Sequence, residues 1–138
     1  ESQILECIRA LNPPILTIPG IGELTAAIIL SEYGNINKFE NPAQLLSFAG
    51  LEPGYYQSGL AEHQGHMVKH GSSHLRYALM NACLPLITYE PVFAEYYAKK
   101  RAEGKPHRVA LTHVAKKLLR VIFTLQTKNV SYDPTLIR

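Results

Sequence analysis

Residues 14–30, PILTIPGIGELTAAIIL, decide how the rest of the chain is read. Gly20 and Gly22 flank Ile21 and separate a proline-bounded apolar stretch from a run rich in Ala and Ile. A residue without a Cβ tolerates the backbone angles of a tight turn, so these glycines permit one here. They also let an anion approach the free amides at the start of the following helix. Two roles are open for this turn. Gly20 and Gly22 could offer amides to a phosphate, or the hairpin could be architectural and pack Ile18, Ile21, Ala27 and Ile28 into the core.

Working outward, Ser2–Leu11 places Ile4, Leu5, Ile8 and Leu11 at helical spacing, with Glu6 and Arg9 elsewhere, and Asn12-Pro13-Pro14 stops that helix. Downstream, residues 31–39 connect, with Gly34 ending the helix before them. Asn41-Pro42 is an N-cap and first-turn pair, so a short helix is expected from residue 42 to 49, closed by Gly50. Residues 51–70 are polar and rich in glycine and histidine, poor core material, and read as a loop. Ser72 or Ser73 caps the next helix, with Leu75, Leu79 and Cys83 on one face, Arg76 and Tyr77 on others, Pro85 as a kink and Glu90-Pro91 as its end. A further segment, 92–102, carries Phe93, Tyr96 and Tyr97 before the break Gly104-Lys105-Pro106. The last helix is expected over 108–125, with an apolar stripe of Val109, Ala115, Leu118, Leu119 and Ile122, followed by a tail from residue 128. No stretch alternates apolar and polar residues as a strand does, so the fold class is all-α.

The chain has 138 residues, 46% of them hydrophobic, enough for one core and hence a single domain. It begins with Glu1, which is read as the start of a fragment or excised domain. Cys7 and Cys83, far apart in apolar helical context, are expected to be buried thiols of a reducing compartment. No signal peptide or spanning apolar run is present, so no membrane partner is expected and the location expected is cytoplasmic. Charge is unevenly spread: up to residue 62 seven glutamates face only Arg9 and Lys38, whereas residues 99–120 carry eight Lys/Arg against Glu103. Such a basic stretch is a footprint for a polyanion, or else a solvated helix face. Asp133 is the only aspartate, which argues against a metal-dependent nuclease built by this chain alone.

The hairpin at 14–33 resembles a helix-hairpin-helix motif, though Glu23 and Leu24 follow the second glycine where hairpins that grip duplex place a Lys or Arg. The wider order of motifs is more specific. Pro19-Gly20-Ile21-Gly22, the run LLSFAGLEP at 45–53, Gln57-Ser58-Gly59, GHMVKHG at 65–71 and Leu75-Arg76 are followed by Tyr96-Tyr97, Gly104-Lys105-Pro106 and AKKLL at 115–119. Nearly the whole chain is therefore similar to the C-terminal transposase domain of the insertion-sequence one-ten family. The resemblance implies a DNA transposase or recombinase with an N-terminal RuvC-like domain of acidic residues holding a divalent metal, Mg, and a C-terminal domain carrying a serine nucleophile. It places that serine at Ser58, on a catalytic loop over 51–71. It further implies DNA as substrate, a structured guide RNA, a homo-oligomer in full length, a nucleoid-associated protein of bacteria or archaea, and no cofactor in this fragment, which alone is expected to be inactive.

A serine hydroxyl attacks a phosphodiester only with proton removal, in-line alignment and neutralisation of the non-bridging oxygens. Lys69 and Arg76 are the cations placed to converge near Ser58, while Lys105, Arg108, Lys116 and Arg120 lie on the basic stretch, with Arg108, Lys116 and Arg120 expected near one side of a helix to track a phosphate backbone. Each has an alternative: Ser58-Gly59 as a plain turn, Arg76 or Lys69 as a surface ion-pair partner. His63, His66, His70 and His74 are interrupted by Gly65 and Gly71 with no cysteine nearby, so no metal site is assigned, and His66 or His70 reads better as a proton carrier. Tyr55 and Tyr56 could stack on bases or anchor the loop. The competing class is a non-catalytic helix-hairpin-helix module that binds DNA or docks proteins, and a third reading is a degenerate copy that folds without working.

Overall fold

The computed structural model describes residues 2–51 and 72–137. They form α1 (Ser2–Leu11), a 3₁₀ turn (Pro14–Thr17), α2 (Glu23–Tyr33), a second 3₁₀ turn (Ile36–Lys38), α3 (Pro42–Phe48), α4 (Ser73–Tyr89), α5 (Pro91–Ala102), α6 (His107–Lys128) and a last 3₁₀ turn (Pro134–Leu136). No strand occurs among the described residues, so the all-α reading holds. None of their helices is long and apolar enough to cross a membrane.

α6 is the axis of the core. Its buried side chains, Ala110, Leu111, Val114, Ala115, Leu118, Leu119, Val121, Ile122 and Leu125, occupy much of its circumference, and it packs on α3, α4, α5 and the first two 3₁₀ turns. α4 lies between α2, α5 and α6 and buries Leu75, Leu79, Cys83 and Leu86. Phe93 of α5, Leu45 and Leu46 of α3 and Ile29 of α2 complete the interior, all at most 1% exposed. Each such side chain contributes about 1.5–3 kcal/mol relative to an exposed one, which is why this cluster specifies the packing.

Helix boundaries follow local chemistry. The Asn41 side chain accepts from Gln44 N at 3.0 Å while Gln44 Oε1 accepts from Glu40 N at 2.8 Å, a reciprocal cap at the start of α3. At its other end Gly50, with φ +74°, donates to Ser47 O and Leu51 N donates to Leu46 O, closing the helix in a Schellman motif. Ser72 caps α4 through Leu75 N at 3.0 Å. Buried Glu90 ends α4 and starts α5, its carboxylate accepting from Val92 N at 2.7 Å. α4 runs through Pro85 without a break.

Several expectations are corrected. The segment before the glycine turn is a 3₁₀ turn and not an α-helix: only Pro14–Thr17 lie between Pro13 and Ile18, and Ile18 is extended, the conformation favoured before Pro19. Of the hairpin's apolar residues, Ile18, Ile21 and Ala27 are buried, but Ile28 faces outward at 40% exposure. α2 packs on α4, on α1 and on the first 3₁₀ turn, and Ile28 falls outside those contacts. Ile4 and Leu11 of α1 are exposed, as are Cys7 and Val109. The last helix extends to Lys128, one residue into the expected tail. That tail folds back: Tyr132 N donates to Thr17 Oγ1 at 2.7 Å, Tyr132 stacks on Phe93 with ring centroids 6.5 Å apart, and Lys117 Nζ donates to Ile137 O at 3.1 Å.

Candidate nucleic-acid interface

The C-terminal end of α3 and the N-terminal end of α4 are joined by hydrogen bonds. Ser72 N donates to Phe48 O at 2.7 Å, and the Arg76 guanidinium donates to Ala49 O at 3.3 Å. Ser72 Oγ also donates to Glu32 Oε1 of α2 at 2.8 Å. The chain therefore leaves this point at Leu51 and re-enters it at Ser72. Ser58, Lys69, His63, His66, His70, Tyr55 and Tyr56 all lie outside the described residues.

Beside that junction opens a cleft of about 770 Å³, lined by Gly50 and Leu51 from α3's end, Ser73, Arg76, Tyr77, Met80 and Asn81 from α4, and Arg108, Thr112 and Lys116 from α6. α4 and α6 pack directly against each other, so their outward faces form its two walls. Tyr77 and Asn81 stand one turn apart on one wall, and Arg108, Thr112 and Lys116 at successive turns on the other. The cleft thus gathers Arg76, Arg108 and Lys116 around the two ends of residues 52–71. A guanidinium has five N–H donors, so the bond to Ala49 O leaves Arg76 with donors for an anion as well.

The other basic residues named from the sequence lie elsewhere. Lys105 sits 3.7 Å from Glu103 Oε1. Arg120 lines a separate hollow with Tyr96 and Lys117, whose ammonium lies 4.9 Å from the Tyr96 ring centre. Each four-residue step along an α-helix overshoots a full turn by about 40°, so Arg120 is rotated well away from Arg108 and does not share its side. Burial, and then Lys116, Lys100 and Lys105, hold His113 below the ordinary imidazole range. Burial, then Arg120 and Lys99, likewise lowers the Lys117 ammonium.

The glycine turn is engaged differently. Gly20 has φ +93°, and a Cβ there would stand 3.1 Å from the Pro85 carbonyl oxygen, so this glycine is where the turn abuts α4. Gly22 caps α2 with open space around it. The first turn of α2 carries Glu23, whose carboxylate is gripped by Arg9 of α1 through bonds of 2.9–3.1 Å. Those hydrogen bonds hold the Glu23 carboxyl below its ordinary range, as an anion paired with Arg9. Among the described residues no group of three His, Cys, Asp or Glu converges as metal ligands. The cleft contributions of Tyr77, Asn81 and Thr112 were not singled out from sequence; the four-residue spacings 77/81 and 108/112/116 carry that signal once α4 and α6 are known to be neighbours.

The sequence model of the Transposase IS116/IS110/IS902 family matches residues 12–98. The chain belongs to this family. It is 32% identical over 135 residues to the uncharacterized 43.6 kDa protein of insertion element IS110 from Streptomyces coelicolor, covering 96% of this chain and 33% of that protein. Its identity to the pilin gene-inverting protein of Moraxella bovis is 30% over 136 residues, covering 95% and 42% respectively. Against the transposase for insertion sequence element IS1111A from Coxiella burnetii it is 28% over 121 residues, covering 86% and 33%. The chain thus spans a third to about two-fifths of these relatives. The family match includes the junction of α3 with α4 and residues 52–71, while the α6 wall of the cleft lies beyond it.

Proposed function

We propose that this chain is the serine-bearing part of a DNA transposase or recombinase, in which Ser58 attacks a DNA phosphodiester held by the α4–α6 cleft. One observation carries the reading: Arg76, Arg108 and Lys116 converge on one cleft at the point where residues 52–71 leave and rejoin the helices. Family membership supports it, as do relatives named for transposition and for gene inversion, both of which rearrange DNA. In the step itself the Ser58 Oγ–phosphorus bond forms as the bond from phosphorus to the leaving sugar oxygen breaks. The serine proton passes to a base, His66 or His70, and the leaving oxygen takes up a proton, so no redox change occurs. Arg76, Arg108 and Lys116, joined by Lys69, neutralise the non-bridging oxygens. The phosphoserine link conserves the energy of the broken bond for rejoining, as strand exchange requires.

The described residues do not fit a metal site. We therefore assign the divalent metal, Mg, to a separate acidic RuvC-like domain of the full-length protein, together with a structured guide RNA and a homo-oligomeric assembly. The test is Ser58→Ala in the full-length protein. Strand transfer and the covalent protein–DNA adduct are expected to vanish while DNA binding stays within about twofold. Strand transfer surviving in that variant would overturn the nucleophile.

A further inference from the structure

The cleft's two walls differ in chemistry. The α6 wall presents Arg108 and Lys116, whereas the α4 wall sets a phenol ring and an amide beside Arg76: Tyr77 is 70% exposed, and Asn81, one turn on, is also exposed. An aromatic ring that faces solvent inside a cationic cleft does not stabilise the core. It offers a flat π surface next to groups that bind phosphate. In a base-paired duplex each base face is already covered by its neighbours, so only an unpaired base can lie on such a ring. The volume, about 770 Å³, is in the range of a small-ligand site and suits one or two nucleotides better than a duplex. Beyond Tyr77 lies a smaller hollow between α2 and α4, lined by Thr25, Ile28, Glu32, His74 and Asn81, so the ring stands between two depressions.

Resting on the reading of this cleft as the DNA site, we propose that it holds a strand-separated nucleotide, with an unpaired base stacked on Tyr77, Asn81 at the base edge, and the adjoining phosphate between Arg76, Arg108 and Lys116. Strand separation at the reacting phosphodiester is then enforced by the protein. Stacking tolerates any base, while the Asn81 amide, with both donor and acceptor, adds a modest preference.

The experiment uses full-length protein carrying Ser58→Ala, so that DNA is not consumed, and compares single-stranded with duplex DNA oligonucleotides, the single strand bearing one 2-aminopurine. Stacking on Tyr77 should quench 2-aminopurine fluorescence. Tyr77→Ala should abolish the quench and weaken single-strand binding about 5- to 150-fold. Duplex binding should stay within about twofold, and Tyr77→Phe should keep both properties. Because the residue is largely exposed, Tyr77→Ala is expected to fold, which circular dichroism checks. Equal effects of Tyr77→Ala on the two DNAs, or none, would overturn the stacking proposal. If Arg108→Ala with Lys116→Ala also left both affinities unchanged, the cleft itself would not be the DNA site, a distinct failure.

Discussion

Gly20 and Gly22 carry the same letter and do different work. At Gly20 the positive φ and the 3.1 Å approach of a notional Cβ to the Pro85 carbonyl act together, since backbone atoms of α4 cannot swing aside as a side-chain end could. Gly22, at φ −84°, meets nothing. We predict that Gly20→Ala lowers unfolding free energy by about 2–4 kcal/mol, through left-handed strain and overpacking. Gly22→Ala should cost under about 1 kcal/mol, the usual difference between glycine and alanine at an N-cap. Urea midpoints of the two variants at constant m-value decide this, and equal costs would contradict the close approach. At the same scale, the first turn of α2 carries a carboxylate, Glu23, that is already paired with Arg9.

Between elements, the Arg9–Glu23 fork is the polar link that seats α1 on the N-terminal end of α2. Hydrogen bonds from Arg9 depress the Glu23 carboxyl in the folded state. A depressed acid stabilises the fold above its unfolded-state value and loses that contribution as pH falls through the folded value. Glu23→Gln is therefore expected to lower the melting temperature at neutral pH, with the gap closing as the pH drops below the ordinary carboxylate range and shrinking in high salt, because the pair is exposed. A gap that stayed constant with pH would show that the pair contributes no charge-dependent stability. The α3–α4 junction depends on short-range bonds of another kind, with Ser72 serving at once as cap for α4, donor to Glu32 and backbone partner of Phe48.

For the whole molecule, the packing of α3, α4 and α6 turns dispersed cations into one surface. If Arg108 and Lys116 each neutralise a DNA phosphate, removing both to alanine in the full-length protein should reduce the slope of log affinity against log salt by about 1.4–1.8. Filter binding across a salt series measures it, and an unchanged slope would remove these residues from the interface. The chain spans only a third to two-fifths of its relatives, so affinity measured on the whole protein includes contacts from elsewhere, and the change in slope is the informative quantity.

What the sequence by itself determined is local: the all-α class, the start of α3 at Asn41-Pro42, a serine cap for α4 at Ser72 or Ser73, the end of α4 at Glu90-Pro91, and the buried face Leu75–Leu79–Cys83. Capping, proline geometry and helical periodicity act within a turn or two of chain, so they are written in neighbouring letters. What only the tertiary structure decided is which apolar residues find a partner and which cations meet. Ile4, Leu11, Ile28 and Val109 look like core residues in their own helices, yet the adjacent helices leave them uncovered. The tail docks because Tyr132 and Thr17 meet across 115 residues. Arg120 is turned out of the cleft by the rotation of its own helix, but that Arg76 and Lys116 share it rests on the α4–α6 contact, which sets direction in space and which no spacing along one segment encodes.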